Sequence, residues 1–132
     1  MKIDKLFSVK NKVVLVTGGS RGIGEMIAEG FVANGAKVYI SSRKKEDVYN
    51  TAIKLKKTYG GYCEAIQSDI SSLDGIKQLF VEFKKKESYL DVLINNAGAV
   101  WGEPFESFSE GGWDKVMDLN VKSIFFMIQK FL

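Results

Sequence analysis

The run KVVLVTG, residues 12–18, constrains this chain more than any other segment, because of what comes directly after it. It is apolar on both alternating faces and rich in β-branched residues. That is the pattern of a strand covered on both sides, not one with a wet face. Four glycines then fall within seven positions (Gly18, Gly19, Gly22 and Gly24), and a helical pattern starts among them. A strand buried on two faces needs layers above and below it. A glycine-rich exit into a helix leaves backbone N–H groups at the strand end, and these suit an anion.

The alternation continues along the chain. Residues 21–34 carry Ile23, Ile27 and Phe31 at four-residue spacing, and Asn34-Gly35 reads as a helix stop. AKVYISS (36–42) is a second strand. Val48, Ala52, Leu55 and Tyr59 mark a second helix ended by Gly60-Gly61. YCEAIQSD (62–69) is a third strand. Ser71 or Ser72 can cap a third helix bearing Ile76, Leu79, Phe80 and Phe83, and LDVLINNAG (90–98) is a fourth strand running into a turn. This βαβαβαβ order predicts an α/β fold, a parallel sheet between two helical layers in a three-layer α/β/α sandwich. With strand order 3-2-1-4, the ends of strands one and four are neighbours. The glycine turn and the NNAG turn then meet at one crevice beyond the strand C-termini. No repeat or linker interrupts the pattern, so residues 1–132 read as one domain.

Composition removes several function classes. The chain has 132 residues, 45% hydrophobic and 27% charged, as in ordinary globular domains. It has no histidine, which excludes a histidine-based triad and most zinc sites; no metal is expected. Cys63 is the single cysteine, so no intrachain disulfide forms. It reads as a small buried hydrophobe. The net charge of +3 is mild, and the lysine runs (Lys44-Lys45, Lys54 with Lys56-Lys57, Lys84 to Lys86) read as solvated helix faces, not a nucleic-acid footprint. MKIDKLFSVKNK lacks the apolar stretch of a secretory signal, and IFFMI is too short to span a bilayer. A cytoplasmic location, or an organelle lumen of reducing character, is expected.

Gly18, Gly22 and Gly24 follow G-x-x-x-G-x-G, neither the G-x-G-x-x-G spacing nor a P-loop with its Gly-Lys-Ser/Thr ending. The logic is shared. Gly18 permits a tight exit from the strand, Gly22 lets a ligand approach the backbone, and Gly24 lets the helix press on the sheet. Ser20 and Arg21 are placed for phosphate contacts beside the helix start at Gly22 and Ile23.

TGGSRGIG (17–24), SDI (68–70), NNAG (95–98) and LNVKS (119–123) together resemble the short-chain dehydrogenase/reductase family, in family order and spacing over essentially the whole chain. NNAGAVWG combined with YISSRK is most similar to its 3-oxoacyl-ACP reductase branch, rhamnolipid-type members included. The resemblance implies a Rossmann-like fold, a nicotinamide dinucleotide and hydride transfer to or from a carbonyl/alcohol substrate. It also implies that the Asp69 side chain and the Ile70 backbone hold the adenine. Asn96, Ala97 and Gly98 would lie beside the cofactor ribose and phosphates, and Asn95 would tie strands together.

The choice of nicotinamide is read from the end of strand two. Enzymes that take NAD commonly place an acid there for the ribose 2′-hydroxyl. Here the stretch is Ser41-Ser42-Arg43-Lys44, with no carboxylate until Glu46. A 2′-phosphate would meet Arg43, Ser42 and Arg21, so NADP(H) is the expected cofactor. The same missing acid argues against a methyltransferase that uses S-adenosylmethionine.

Residues 113–132 form a fourth helical pattern with Trp113, Val116, Met117, Ile124, Met127, Ile128 and Phe131 on one face and Asn120 in its middle. By resemblance Asn120 is the family's catalytic asparagine, part of a water-linked proton path and often at a helix kink. The family's serine and Tyr-x-x-x-Lys pair have no match here. Residues four places after Tyr39, Tyr49, Tyr59, Tyr62 and Tyr89 are Arg43, Ile53, Cys63, Ile66 and Leu93. FFMIQKFL ends inside an apolar helical pattern, and strand four calls for a further neighbour. The expectation is therefore the N-terminal half of a longer reductase, inactive by itself, whose full-length form is a homodimer or homotetramer. The competing reading is a non-catalytic dinucleotide-binding or interaction module. AVWGEPFESF (99–108) could face a substrate through Trp101 and Phe105, or these could be ordinary packing residues.

Overall fold

The structure, a computed structural model, describes residues 2–132, with the backbone alone for Asp4. Four strands form one sheet in the order β3-β2-β1-β4: β1 Val13–Thr17, β2 Lys37–Ser42, β3 Tyr62–Gln67 and β4 Val92–Ile94. All three pairings are parallel, with Val14 opposite Val38 and Val92, and Ile40 opposite Ala65. Helices α1 (Ile3–Leu6), α2 (Gly22–Ala33), α3 (Lys45–Tyr59), α4 (Leu73–Lys84), α5 (Glu110–Met117) and α6 (Ser123–Phe131) complete the chain.

The side-chain alternation of β1 divides the core in two. Val14 and Val16 point to the layer of α2 and α3, where they meet Ala28, Val32, Val48, Ala52 and Leu55. Val13 and Leu15 point to the layer of α4 and α6, where they meet Ile76, Leu79, Phe83, Leu119 and Met127. The three-layer α/β/α sandwich and the 3-2-1-4 order are both present. Local chemistry sets the helix ends. Ser72, not Ser71, caps α4 by accepting the Gly75 N–H, and Gly60 closes α3 in the left-handed region.

Three details differ from the sequence pattern. The buried face of α2 is Gly24, Ala28 and Val32, one residue on from the expected Ile23, Ile27 and Phe31. Ile23 is 70% exposed. The helix lies so close to the sheet that the small residues face it and the large ones flank it. The expected 113–132 helix starts at Glu110, capped by Ser109, and is broken by a π turn over Asp118–Lys122. A π turn inserts an extra residue and rotates everything after it. Met127 is therefore fully buried, while Trp113 and Ile128, expected on the same face, are exposed. Within the expected strand and turn of residues 90–98, β4 is only three residues long, and it pairs with β1 alone among the described residues. The N-terminal helix α1 had no sequence signal.

At the opposite end of the sheet from the glycine turn, the buried Tyr39 hydroxyl bonds the Tyr62 hydroxyl at 3.0 Å and donates to Glu87 at 2.5 Å. Glu87 also pairs with Lys37. Burial pushes the Tyr39 phenol well above its ordinary value, so it stays a proton donor to that carboxylate. Cys63 is buried, and burial pushes its thiol up to about 12.

Candidate functional site

The carboxyl ends of β1, β2, β3 and β4 open into a crevice of about 240 Å³. β1 and the turn after it supply Gly18, Ser20 and Arg21. β2 and the start of α3 supply Ser41, Ser42, Arg43, Lys44 and Asp47. Ser68, Asp69 and Ile70 follow β3, and Asn96, Ala97 and Gly98 follow β4; Leu119 comes from the π turn. Of the site residues named from the sequence, Gly22, Ile23, Gly24 and Asn120 stand outside this lining. Gly22 opens α2 at φ +57° and Ile23 projects outward, whereas Gly24 is buried under the turn.

Two glycines shape the turn. Gly18 sits at φ +66°, in the left-handed region. At Gly24 a Cβ would overlap the Gly18 carbonyl oxygen and the Asn96 amide, so only a hydrogen fits there. Within the turn, the Gly19 N–H donates to the Ser41 carbonyl at 3.1 Å, and the Ser20 carbonyl accepts the Thr51 hydroxyl at 2.7 Å. The N–H groups of Ser20 and Arg21 have no partner among the described residues, and the first turn of α2 adds further unpaired donors. These donors, the positive end of the helix dipole and the Arg21, Arg43 and Lys44 side chains create an anion site.

A hydroxyl and an amide join the first and fourth strand ends. Thr17, buried, accepts the Asn96 and Ala97 N–H groups, both at 3.1 Å, and donates to the Ile94 carbonyl at 3.2 Å. The Asn96 amide donates to the Thr17 carbonyl at 3.0 Å and the Gly18 carbonyl at 3.2 Å. The strand-tying role expected of Asn95 thus belongs to Asn96. The Asn95 Oδ1 atom is buried without a partner among the described residues.

Asp69 faces the crevice while one of its oxygens accepts the Ser71 N–H at 3.1 Å and hydroxyl at 2.7 Å, and the other has no partner among the described residues. No carboxylate stands between Arg43 and Glu46 in the sequence, and the first one past Arg43 to reach the crevice comes directly after Glu46. Asp47, not Glu46, lines the crevice, because helical geometry turns the third residue of α3 toward β2. Asp47 and Thr51 are one turn apart on one face of α3, a spacing that signals a shared direction but not its target.

Asn120 lies half-buried in the π turn. Its Oδ1 accepts the Ala99 N–H at 2.7 Å, and its Nδ2 donates to the Ala99 carbonyl at 2.9 Å. The side chain thus clamps the segment after NNAG to the helix. The Trp101 indole N–H donates to Glu103 at 2.8 Å and the ring lies under the Lys115 ammonium at 4.1 Å, which are packing contacts; Phe105 is 93% exposed.

The sequence profile of the short chain dehydrogenase family matches residues 12–132. The chain belongs to that family. Among relatives of the chain, the rhamnolipids biosynthesis 3-oxoacyl-[acyl-carrier-protein] reductase of Pseudomonas aeruginosa is 47% identical over 96% of this chain and 48% of its own length. The NAD-dependent glycerol dehydrogenase of Listeria innocua is 38% identical over 96% of this chain and 48% of its own. The solved structure of the Pseudomonas aeruginosa RhlG/NADP active-site complex superposes with a TM-score of 0.89 at 46% identity, over 95% of this chain and 48% of that one. The chain spans about half the length of the curated relatives it matches. No helix among the described residues is long and apolar enough to cross a membrane.

Proposed function

We propose that this short-chain dehydrogenase binds NADP(H) at the crevice and serves an oxidoreductase acting on a carbonyl/alcohol pair, with a 3-oxoacyl thioester as the substrate class. The observation that carries the reading is the junction of unpaired N–H groups at Ser20 and Arg21 with the basic group Arg21, Arg43 and Lys44 in one crevice. Bound NADP(H) supplies or accepts a hydride at the nicotinamide ring. The turn N–H groups and the start of α2 would hold the pyrophosphate. Arg43, with Ser42, Arg21 and Lys44, would hold the 2′-phosphate, and Asp69 with the Ile70 backbone the adenine. The clamp of Asn120 on Ala99 fixes the segment that follows Gly98, which lines the crevice. Support for the acyl class is the 47% identity to a 3-oxoacyl reductase.

The test is a titration of the full-length protein with NADPH and NADH, followed by assay with a 3-oxoacyl thioester. NADPH should bind at least about tenfold more tightly, the return on one charge-assisted hydrogen bond. Equal or tighter binding of NADH would refute the cofactor assignment. NADPH binding without oxidation by any 3-oxoacyl thioester would refute the substrate class alone.

A further inference from the structure

We propose that Thr51, on the second turn of α3 and outside the crevice, is a positioning residue for the phosphate-binding turn. Its hydroxyl donates to the Ser20 carbonyl at 2.7 Å across the gap between α3 and the turn, and the residue is 8% exposed. On the near side of Ser20, the Gly19 N–H is held by the Ser41 carbonyl of β2 at 3.1 Å. The Gly18–Gly19 peptide is therefore anchored to the sheet and the Ser20–Arg21 peptide to α3, with the Gly19–Ser20 peptide between them.

The consequence follows from peptide geometry. In a trans peptide the carbonyl and the N–H point in opposite directions. The Ser20 carbonyl and the Arg21 N–H belong to the same unit. Holding that carbonyl toward α3 turns the Arg21 N–H the other way, and that N–H has no partner among the described residues. Without the Thr51 hydroxyl, the Ser20 carbonyl has no partner and the peptide is free to rotate. A carbonyl oxygen turned toward the crevice repels a phosphate, and the donor opposite it is lost. Ser20 and Arg21 line the crevice and Thr51 does not, so Thr51 acts through the turn and not by contact.

The inference rests on the dinucleotide reading above, and the experiment separates the two. Full-length wild type, Thr51→Val and Thr51→Ser are titrated with NADPH, with the Arg21 amide followed by NMR and apo melting temperatures recorded. Valine keeps the shape and removes the donor; serine keeps the donor. T51V should raise the Kd for NADPH about five- to tenfold and shrink the NADPH-induced shift of the Arg21 amide, while T51S stays within about twofold of wild type. If T51V does not fold, Thr51→Ala carries the same test. A T51V protein that melts lower yet binds NADPH with wild-type Kd and Arg21 shift overturns the positioning role and leaves Thr51 a structural tether. Absence of NADPH binding by wild type overturns the dinucleotide reading and this inference with it.

Discussion

Replacing Gly24 with alanine should destabilise the protein, whereas the same change at Gly30, later in the same helix, should stabilise it. Both residues lie inside α2. Alanine in a helix interior gains about 0.8–1 kcal/mol over glycine, so intrinsic propensity favours both changes. What differs is the space beyond the backbone. Nothing lies within 4 Å of a Cβ at Gly30, so that variant keeps a gain of roughly 0.5–1 kcal/mol. At Gly24 the added carbon overlaps the Gly18 carbonyl and crowds the Asn96 amide. Either α2 lifts from the sheet or the turn moves. Overpacking of this kind costs about 1–3 kcal/mol. The two bonds from the Asn96 amide to the Thr17 and Gly18 carbonyls are strained with it, at about 0.5–1.5 kcal/mol each. The propensity gain offsets only part of this, leaving a net loss of roughly 1–5 kcal/mol. Urea unfolding of the full-length variants, compared at equal m-values, measures both changes. NADPH titration should add a loss of affinity for G24A alone. A G24A protein as stable as G30A would show that α2 does not need its close approach to the turn, and the reasoning would fail.

Arg43→Ala should weaken NADPH roughly 10- to 150-fold, the equivalent of one charge-assisted bond of about 1.5–3 kcal/mol, and leave NADH nearly unchanged; equal losses for both cofactors would remove Arg43 from the 2′-phosphate. Asp47→Asn removes an exposed carboxylate from the same crevice and should tighten NADPH about two- to fivefold at low salt, with the gain fading near about 0.5 M salt. An Asp47→Asn gain independent of salt would point to a steric cause. Asn120→Leu loses both bonds to Ala99 and should cost about 1–3 kcal/mol in urea unfolding, with no loss counting against the clamp. Burial pushes the Cys63 thiol up to about 12 and shields it, so iodoacetamide at pH 8 should label it only after unfolding; rapid native labelling would contradict its burial.

Much of the fold was legible because a buried parallel strand reads as a continuous apolar, β-branched-rich run, as β1 does, and because strand and helix patterns of ordinary length alternate after it. Ten of the thirteen residues named for the cofactor line the crevice, since each lies within a few residues of a strand end and the topology brings strand ends together. The misses have one cause. The face of α2 and the break in the 113–132 helix depend on how close another element comes, and periodicity carries no distance. Ile23 looks like a core residue until the helix is found near enough to the sheet to bury Gly24, Ala28 and Val32, with Ile27 and Phe31 at the flank. Thr51 was missed because its partner lies across the fold, on the first strand's exit, and Asp47 because its place in the crevice depends on how α3 sits against the strand ends. Asn95 and Asn96 are adjacent and chemically identical, so only the direction of each side chain separates the tie from the unpartnered amide.

The sequence by itself determined the layers, the parallel order of the strands, the family and the two turns that face each other, because buried strands and glycine exits leave patterns that survive in one dimension. Tertiary structure alone decided which donors in the first turn remain free, which carboxylate enters the crevice and what Asn120 holds. Those outcomes depend on angles and separations of a few tenths of an ångström between segments far apart in the chain. At that scale a hydrogen bond is made or lost, and no residue spacing records it.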